Sequence, residues 1–221
     1  MSVEMHKCKN HEAWLKHRSK YIGGSDVACI LGLNPWKTNL QLYKEKKGIV
    51  KPDDISDNPL VEYGTKVEEH IRAIFALNHP ELEISYVPYN SWHNSEYPFA
   101  AASLDGWSRE KATDRKGIVE IKSALITSKA QAEKWKDQIP NNYYCQLLYY
   151  FGVTEFDYAD LSAILRFQTS PDKPMYITIR DYHIERTDEG VEEDIETIME
   201  ATANFHKALK NNEQPPLILN L

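Results

Sequence analysis

The stretch GIVEIKSA, residues 117–124, constrains the fold more tightly than any other part of the chain. Ile118, Val119, Ile121 and Ala124 read as a buried strand, yet Glu120 and Lys122 stand two apart inside it. Side chains alternate across a strand, so Ile118, Glu120 and Lys122 share one face and Val119 and Ile121 the other. Burying either charge without a partner costs several kcal/mol. The strand therefore requires an ion pair, a metal or a bound anion on that face.

The surrounding pattern is helices, three strands, helices, two strands and a closing helix. Short helices are expected over 10–18, 25–32 and 39–48, with Ser25 as N-cap of the second and Gly32 and Gly48 as stops. A long helix is expected over 59–78, with Gly64, Val67, Ile71, Ile74 and Phe75 on its inner face. Glu68 falls on or beside that face, while Glu62, Lys66, Glu69 and Arg72 lean outward. Glycine at 64 weakens a helix and suggests close approach of another backbone. Strands are expected over 83–90, 98–107, 117–124, 156–165 and 175–184, and further helices over 128–140, 142–152 and 187–211. This order gives an α/β protein, one domain over 1–221, with a mixed central sheet flanked by helices.

The strand PFAAASLDGW puts Ser103 and Asp105 on one face, with Ala102 and Leu104 opposite. The charged segment SREKATDRK then reads as the loop of a hairpin to GIVEIKSA. Asp105 and Glu120 could hold one hard divalent cation between them. Lys122 would orient water or neutralise a phosphate there, and Glu68 would join through water or a second ion. An isolated E-x-K on a strand is ordinarily a surface ion pair, and an isolated D-G only a turn. The order of helix glutamate, then D, then E-x-K on successive strands carries the reading.

That order resembles the PD-(D/E)XK nuclease superfamily, here as SLDG followed by EIK. More closely, the chain resembles the phage-type recombination exonucleases of the YqaJ and lambda exonuclease family. Four blocks carry the likeness: HRSKYIGGSDVACILGLNPWKT, VEYGTKVEEHIRAIF, AASLDGW with GIVEIKS, and NNYYCQLLYYFGVTEFDYADL. The resemblance implies a PD-(D/E)XK core with Asp105 and Glu120 as metal carboxylates, the Ile121 carbonyl completing the site, Lys122 as catalytic lysine and Glu68 as additional acid. It implies 5′-phosphate or DNA contacts from Arg18, Ser25, Ser103 and Gln146, with Tyr143 beside Gln146 on its helix. It also implies Mg2+ or Mn2+, double-stranded DNA ends as substrate, a single-strand annealing partner and a ring-shaped trimer. The chain departs from the family at Leu104, where many members have proline, and at Leu148, where many have a second glutamine.

Several residues bear bland readings beside the functional ones. Tyr143 serves equally as packing, Trp36 and Lys37 as surface or as a DNA entrance, and His70 as a structural residue. Gly23 and Gly24 mark a tight turn near a phosphate. Net charge is -7, which by itself argues against a basic nucleic-acid binder. Residues 185–200 carry all of it, so the remainder sums to zero and local basic patches stay available. That acidic run reads as a solvated helix face. No apolar run is long enough for a bilayer, and residues 1–18 lack the apolar stretch of a signal peptide. Cys8, Cys29 and Cys145 are scattered and odd in number, which fits the reduced cytoplasm of a bacterial host and argues against a four-cysteine cluster or a structural zinc. Two rival readings stay open: a structure-specific endonuclease on the same fold, and a DNA-binding module that has lost catalysis.

Overall fold

The strand bearing Glu120 and Lys122 lies in the middle of a five-stranded sheet. The computed structural model describes residues 2–55, 57–168, 170, 172 and 174–218. The chain runs β1 (Val3–Lys7), α1 (His11–Arg18), β2 (Ile22–Gly23), α2 (Gly24–Ile30), α3 (Asn39–Lys46) and α4 (Pro59–Asn78). It continues through β3 (Leu82–Ser85), β4 (Asn90–Asn94), β5 (Ala100–Ala101), β6 (Gly106–Glu110), β7 (Lys116–Ile126) and α5 (Lys129–Glu133). It closes with α6 (Asn141–Thr154), β8 (Tyr158–Phe167), β9 (Tyr176–Glu185) and α7 (Val191–Asn211). Residue 56, within the expected loop at 51–59, lies outside the described residues.

The main sheet has the order β3-β6-β7-β8-β9. β7 and β8 pair in parallel from Gly117 opposite Tyr158 to Ile126 opposite Phe167, with α5 and α6 in the crossover. The other pairings are antiparallel. A central parallel pair is covered on both faces, which is why β8 is buried along nearly all its length. Ile118 joins the larger core, with Val27 of α2, Leu147 and Phe151 of α6, and Ile195 and Met199 of α7. Ile121, one residue out of phase, joins the smaller core beneath α4 with Ile71 and Ile164. The alternation expected for residues 118–122 is realised as two separate cores. Burying side chains such as Ile71 and Phe75 contributes about 1.5–3 kcal/mol each. In α7 the apolar stripe Val191, Ile195, Ile198 and Phe205 is buried, and the acids Glu192, Glu193 and Asp194 occupy the exposed first turn, where the helix dipole favours them.

Several expectations change. The strand expected over 83–90 is split, because Pro88 cannot donate to a ladder and Tyr89 takes the left-handed conformation, φ 60°. Only its last residue, Asn90, is strand again, as the start of β4, which leaves the main sheet and pairs antiparallel with β1, a strand the periodicity does not reveal. The strand expected over 98–107 is also broken, and residues 102–105 run between β5 and β6. The expected loop SREKATDRK is strand at both ends, residues 108–110 and 116, and the turn is confined to residues 111–115, with Asp114 at φ 65°. Gly23, not Ser25, caps α2. The chain is already paired as β2 at Gly23, and the Asp26 carboxylate accepts from the Gly23 N–H at 2.9 Å. Gly32 does end that helical turn, at φ +71°. The helix expected over 128–140 shrinks to α5, with Trp135 buried after it. On α4, Ile74 is exposed rather than inward, Arg72 is turned inward rather than out, and Gly64 faces the side chain of Ser123 rather than a backbone. Among the described residues no helix is long and apolar enough to cross a membrane.

Candidate active site

Residues 103–105 leave the sheet, so their backbone groups need partners from elsewhere. Asn90 supplies them. Its side chain accepts from the Leu104 N–H at 2.9 Å and donates to the Leu104 carbonyl at 2.8 Å, standing in for a strand neighbour. Asp105 follows, held on both sides. Its Oδ2 accepts from the Ile121 N–H at 2.9 Å, and its carbonyl accepts from Arg72 Nε at 2.6 Å. The β6–β7 register pairs Gly106 with Val119, so Asp105 stands across from Glu120.

Arg72 also donates to Glu68 Oε1 at 2.8 Å, and its guanidinium lies over the Tyr86 ring at 3.7 Å. It therefore ties the acid of α4 to the backbone of Asp105. Glu120 is only 2% exposed. Its Oε1 accepts from Lys122 Nζ and from Gln146 Nε2, the latter at 2.7 Å. Its Oε2 is buried and has no hydrogen-bond partner among the described residues. Lys122 Nζ also lies 5.1 Å from the centre of the Tyr143 ring.

The electrostatics follow from burial. Desolvation pushes the Glu120 carboxyl up to about 8, with repulsion from Asp105 next and the Lys122 ammonium opposing. Glu68 rises to about 7, again by burial first and Asp105 second, against the pull of Arg72. Asp105 is raised by burial, opposed chiefly by Lys122. Burial works against the charge of Lys122, but Glu120 and Asp105 together outweigh it and raise the amine, which stays a cation. Glu68 and Glu120 thus retain protons toward neutral pH unless more positive charge arrives, and burial shifts Asp105 in the same direction. A hard divalent cation supplies that charge, and the donors present are oxygens, as Mg2+ or Mn2+ requires. The unpartnered Oε2 of Glu120 is the atom such an ion would satisfy, so the residues fit the group.

A second cluster adjoins the first. Arg18, the last residue of α1, donates from Nη2 to Ser25 Oγ at 2.6 Å and lies over the Trp14 ring at 5.0 Å. Trp14 Nε1 donates to Ser103 Oγ and to the Asn90 carbonyl, each at 3.2 Å. Gln146 also donates to Tyr150 Oη at 3.0 Å, and Tyr150 donates to the Ser103 carbonyl at 3.1 Å. Both amide hydrogens of Gln146 are committed to Glu120 and Tyr150, so the structure places it behind the carboxylate. Gly24 permits this arrangement, since a Cβ there would lie 2.4 Å from the Tyr150 ring.

The structure brings together Glu68, Asp105, Glu120, Ile121 and Lys122, with Arg18, Ser25, Ser103, Tyr143 and Gln146 around them. It leaves Trp36 outside this network, 75% exposed, pairs Lys37 with Glu45 at 2.5 Å, and leaves His70 on the exposed side of α4. Arg72, Asn90 and Tyr150 are the residues that sequence reasoning missed. Arg72 could have been found from its i,i+4 spacing to Glu68. Nothing local marks Asn90.

A mixed sheet with Glu120 and Lys122 on its central strand, Asp105 at the entry to the neighbouring strand and Glu68 on the adjoining helix defines the class: a PD-(D/E)XK-type core. A YqaJ-like viral recombinase domain matches residues 13–157, and the chain belongs to that family. The Uncharacterized protein YqaJ of Bacillus subtilis (strain 168) is 32% identical over 150 residues, 67% of this chain and 44% of that protein. The chain therefore matches less than half of that relative's length. Among solved structures, the alkaline exonuclease LHK-Exo from Laribacter hongkongensis superposes with a TM-score of 0.59 at 19% identity, covering 92% of this chain and 96% of that one. Its complex with dAMP gives 0.61 at 18% identity over the same shares, 92% and 96%. A phage related exonuclease from Haemophilus somnus 129PT gives 0.54 at 16%, covering 87% and 96%.

Proposed function

We propose that this chain is a divalent-metal-dependent deoxyribonuclease that digests double-stranded DNA from a 5′ end and leaves a 3′ single strand, as phage-type homologous recombination requires. The observation that carries the reading is Glu120: a carboxylate buried in the sheet centre, opposite Asp105 and two residues before Lys122, with one oxygen unpartnered. A structural ion pair would satisfy both oxygens. Family membership and the alkaline exonucleases of the same fold support exonucleolysis, and the dAMP bound to one of them is a mononucleotide, the size of product an exonuclease releases.

Asp105, Glu120 and the Ile121 carbonyl would hold Mg2+ or Mn2+, and Glu68 would reach it directly or through water. When bound, the ion neutralises the reacting phosphate and lowers the pKa of nearby water. The chain's own residues do the rest. Ile121 N–H and Arg72 fix the two ends of Asp105. Gln146 fixes the Glu120 carboxylate so that Oε2 alone stays open. Lys122 Nζ, held cationic, turns from Glu120 to a phosphate oxygen or the attacking water as hydrolysis proceeds in line. Arg18 and Ser25 receive the terminal 5′-phosphate, the guanidinium fork matching its oxygens, and Ser103 lies between that pocket and Asp105. A ring-shaped trimer and a single-strand annealing partner belong to the same reading.

The test is a linear duplex labelled at either the 5′ or the 3′ end, with and without Mg2+, beside a closed circular duplex. Release of the 5′ label first, dependence on Mg2+ and an untouched circle are expected. Cleavage of the circle would replace this reading with the endonuclease. No cleavage under any metal would replace it with the binding module.

A further inference from the structure

A second set of metal-competent side chains gathers away from the carboxylates. β1 and β4 pair with His6 opposite Ser91 and Glu4 opposite His93. Directly paired residues share a face, and so do residues two apart. His6, Cys8 and His93 therefore point to one side of this ribbon, and α1 lays His17 against that side. Candidate ligand atoms of His6, Cys8 and His17 all lie within 4.8 Å of one another. His17 Nε2 is 3.0 Å from His93 Nε2, close to the edge of about 3.3 Å that two nitrogens span on a tetrahedral zinc ion.

Three features distinguish this cluster from chance crowding. His93 Nδ1 faces the Ala100 carbonyl at 3.3 Å, which places its proton there and leaves Nε2 with the lone pair. Such a backbone contact is how metal-binding histidines are commonly oriented. Cys8 is a free thiol, 4% exposed, at the base of the group. The His6 ring stacks on His17 at 4.9 Å and is exposed, so it can turn edge-on to an ion without disturbing the core.

We infer that His6, Cys8, His17 and His93 form a binding site for zinc or a similar borderline divalent ion, separate from the oxygen-donor site and unsuited to magnesium. Thiolate and imidazole select such ions over hard cations. Such a site would overturn the expectation that scattered cysteines argue against a structural zinc, because His6 beside Cys8 and two histidines from other stretches, His17 and His93, would supply the remaining ligands. The bound ion would clasp β1 and β4 to α1. Since Arg18 directly follows His17, it would also stiffen the arm that carries the arginine.

The experiment uses the full chain, stripped with a chelator and titrated with Co2+ and then Zn2+. Cobalt in this site should give a thiolate-to-metal charge-transfer band and the intense visible absorption of tetrahedral coordination, neither of which a carboxylate site produces. Zinc should displace it at one equivalent and raise the melting temperature by several degrees. Cys8→Ser should remove the charge-transfer band. His6→Gln, at an exposed position that leaves the fold intact, should weaken zinc binding at least tenfold. A wild-type chain that shows no thiolate band, or a His6→Gln variant that binds zinc as tightly as wild type, would overturn the site. None of these readouts depends on DNA cleavage.

Discussion

The carboxylate half and the arginine half of the candidate active site meet at Ser103 but are held differently. Glu120 is 2% exposed and Lys122 18%, and their partners come from the sheet and from α6. Ser25 is exposed and accepts from Arg18, itself at the end of a short helix with no buried residue. In the first half, burial raises the carboxyl pKa values and leaves an oxygen unsatisfied, so energy is stored that a cation can release. In the second, ordinary polar contacts lie ready to exchange for a phosphate. The contrast suggests that the buried half sets the rate and the exposed half chooses the end.

The largest effect should come from removing a buried ligand. Asp105→Ala or Glu120→Ala is expected to reduce cleavage to background while DNA binding, followed by gel shift, survives. Full turnover in either variant at saturating Mg2+ would break the comparison at its root. Calcium should bind the wild type and support little or no cleavage, because its looser geometry positions water less well.

Lys122→Ala comes next, with a loss on the order of 10² in rate and an intact fold by circular dichroism. A variant that melts yet keeps its specific activity would make the lysine only a counter-ion for Glu120.

The stored charge can also be read without substrate. Glu68 and Glu120 release their protons at about 7 and about 8 in the folded chain, against 4.5 when free of the fold. The folded state therefore binds more protons between those limits. The stability this gives is fully present below pH 4.5 and is lost as pH rises through 7 and 8. The melting temperature of metal-free protein should fall by several degrees from pH 5 to pH 8.5, a range chosen to bracket roughly those limits, and Mg2+ should flatten the slope. Glu120→Gln should flatten it without metal. A metal-free chain equally stable at both ends would remove the electrostatic half of the argument.

The smallest effect belongs to the exposed half. Wild type should digest 5′-phosphorylated duplex several-fold faster than 5′-hydroxyl duplex, and Arg18→Ala should erase most of that preference with the metal requirement unchanged. An Arg18→Ala variant that retains the whole preference would place end selection elsewhere.

The two halves were unequally legible before the structure. Glu120 and Lys122 could be placed on one face because alternation is a local property of a strand, and their face is the one that meets α6. For Asp105 the strand alternation is an incomplete guide. The residue does not continue a strand but ends an excursion that Asn90 and Arg72 hold in place. Arg72 was turned the wrong way, since the helix pattern ranks it as solvent-facing and only the approach of Asp105 and Tyr86 makes the inward position favourable. The resemblance points Gln146 at the phosphate, whereas its orientation toward Glu120 depends on Gly24 admitting Tyr150 beside it.

The sequence by itself determined the order of the main helices and of the strands of the main sheet, the two faces of β7, the burial of one glutamate among apolar neighbours and the likeness to a recombination nuclease family, because these follow from short-range periodicity and from motif order. The tertiary structure alone decided that β1 pairs with β4, that Asn90 replaces a strand, that Glu120 keeps one oxygen open, and that His6, Cys8, His17 and His93 converge. Those outcomes join residues as many as 91 positions apart, as Val3 and Asn94 of the β1–β4 pair are. No local pattern encodes which surfaces meet, since that choice is made by the whole core as it closes around buried apolar area and obliges each polar group it traps to find a partner.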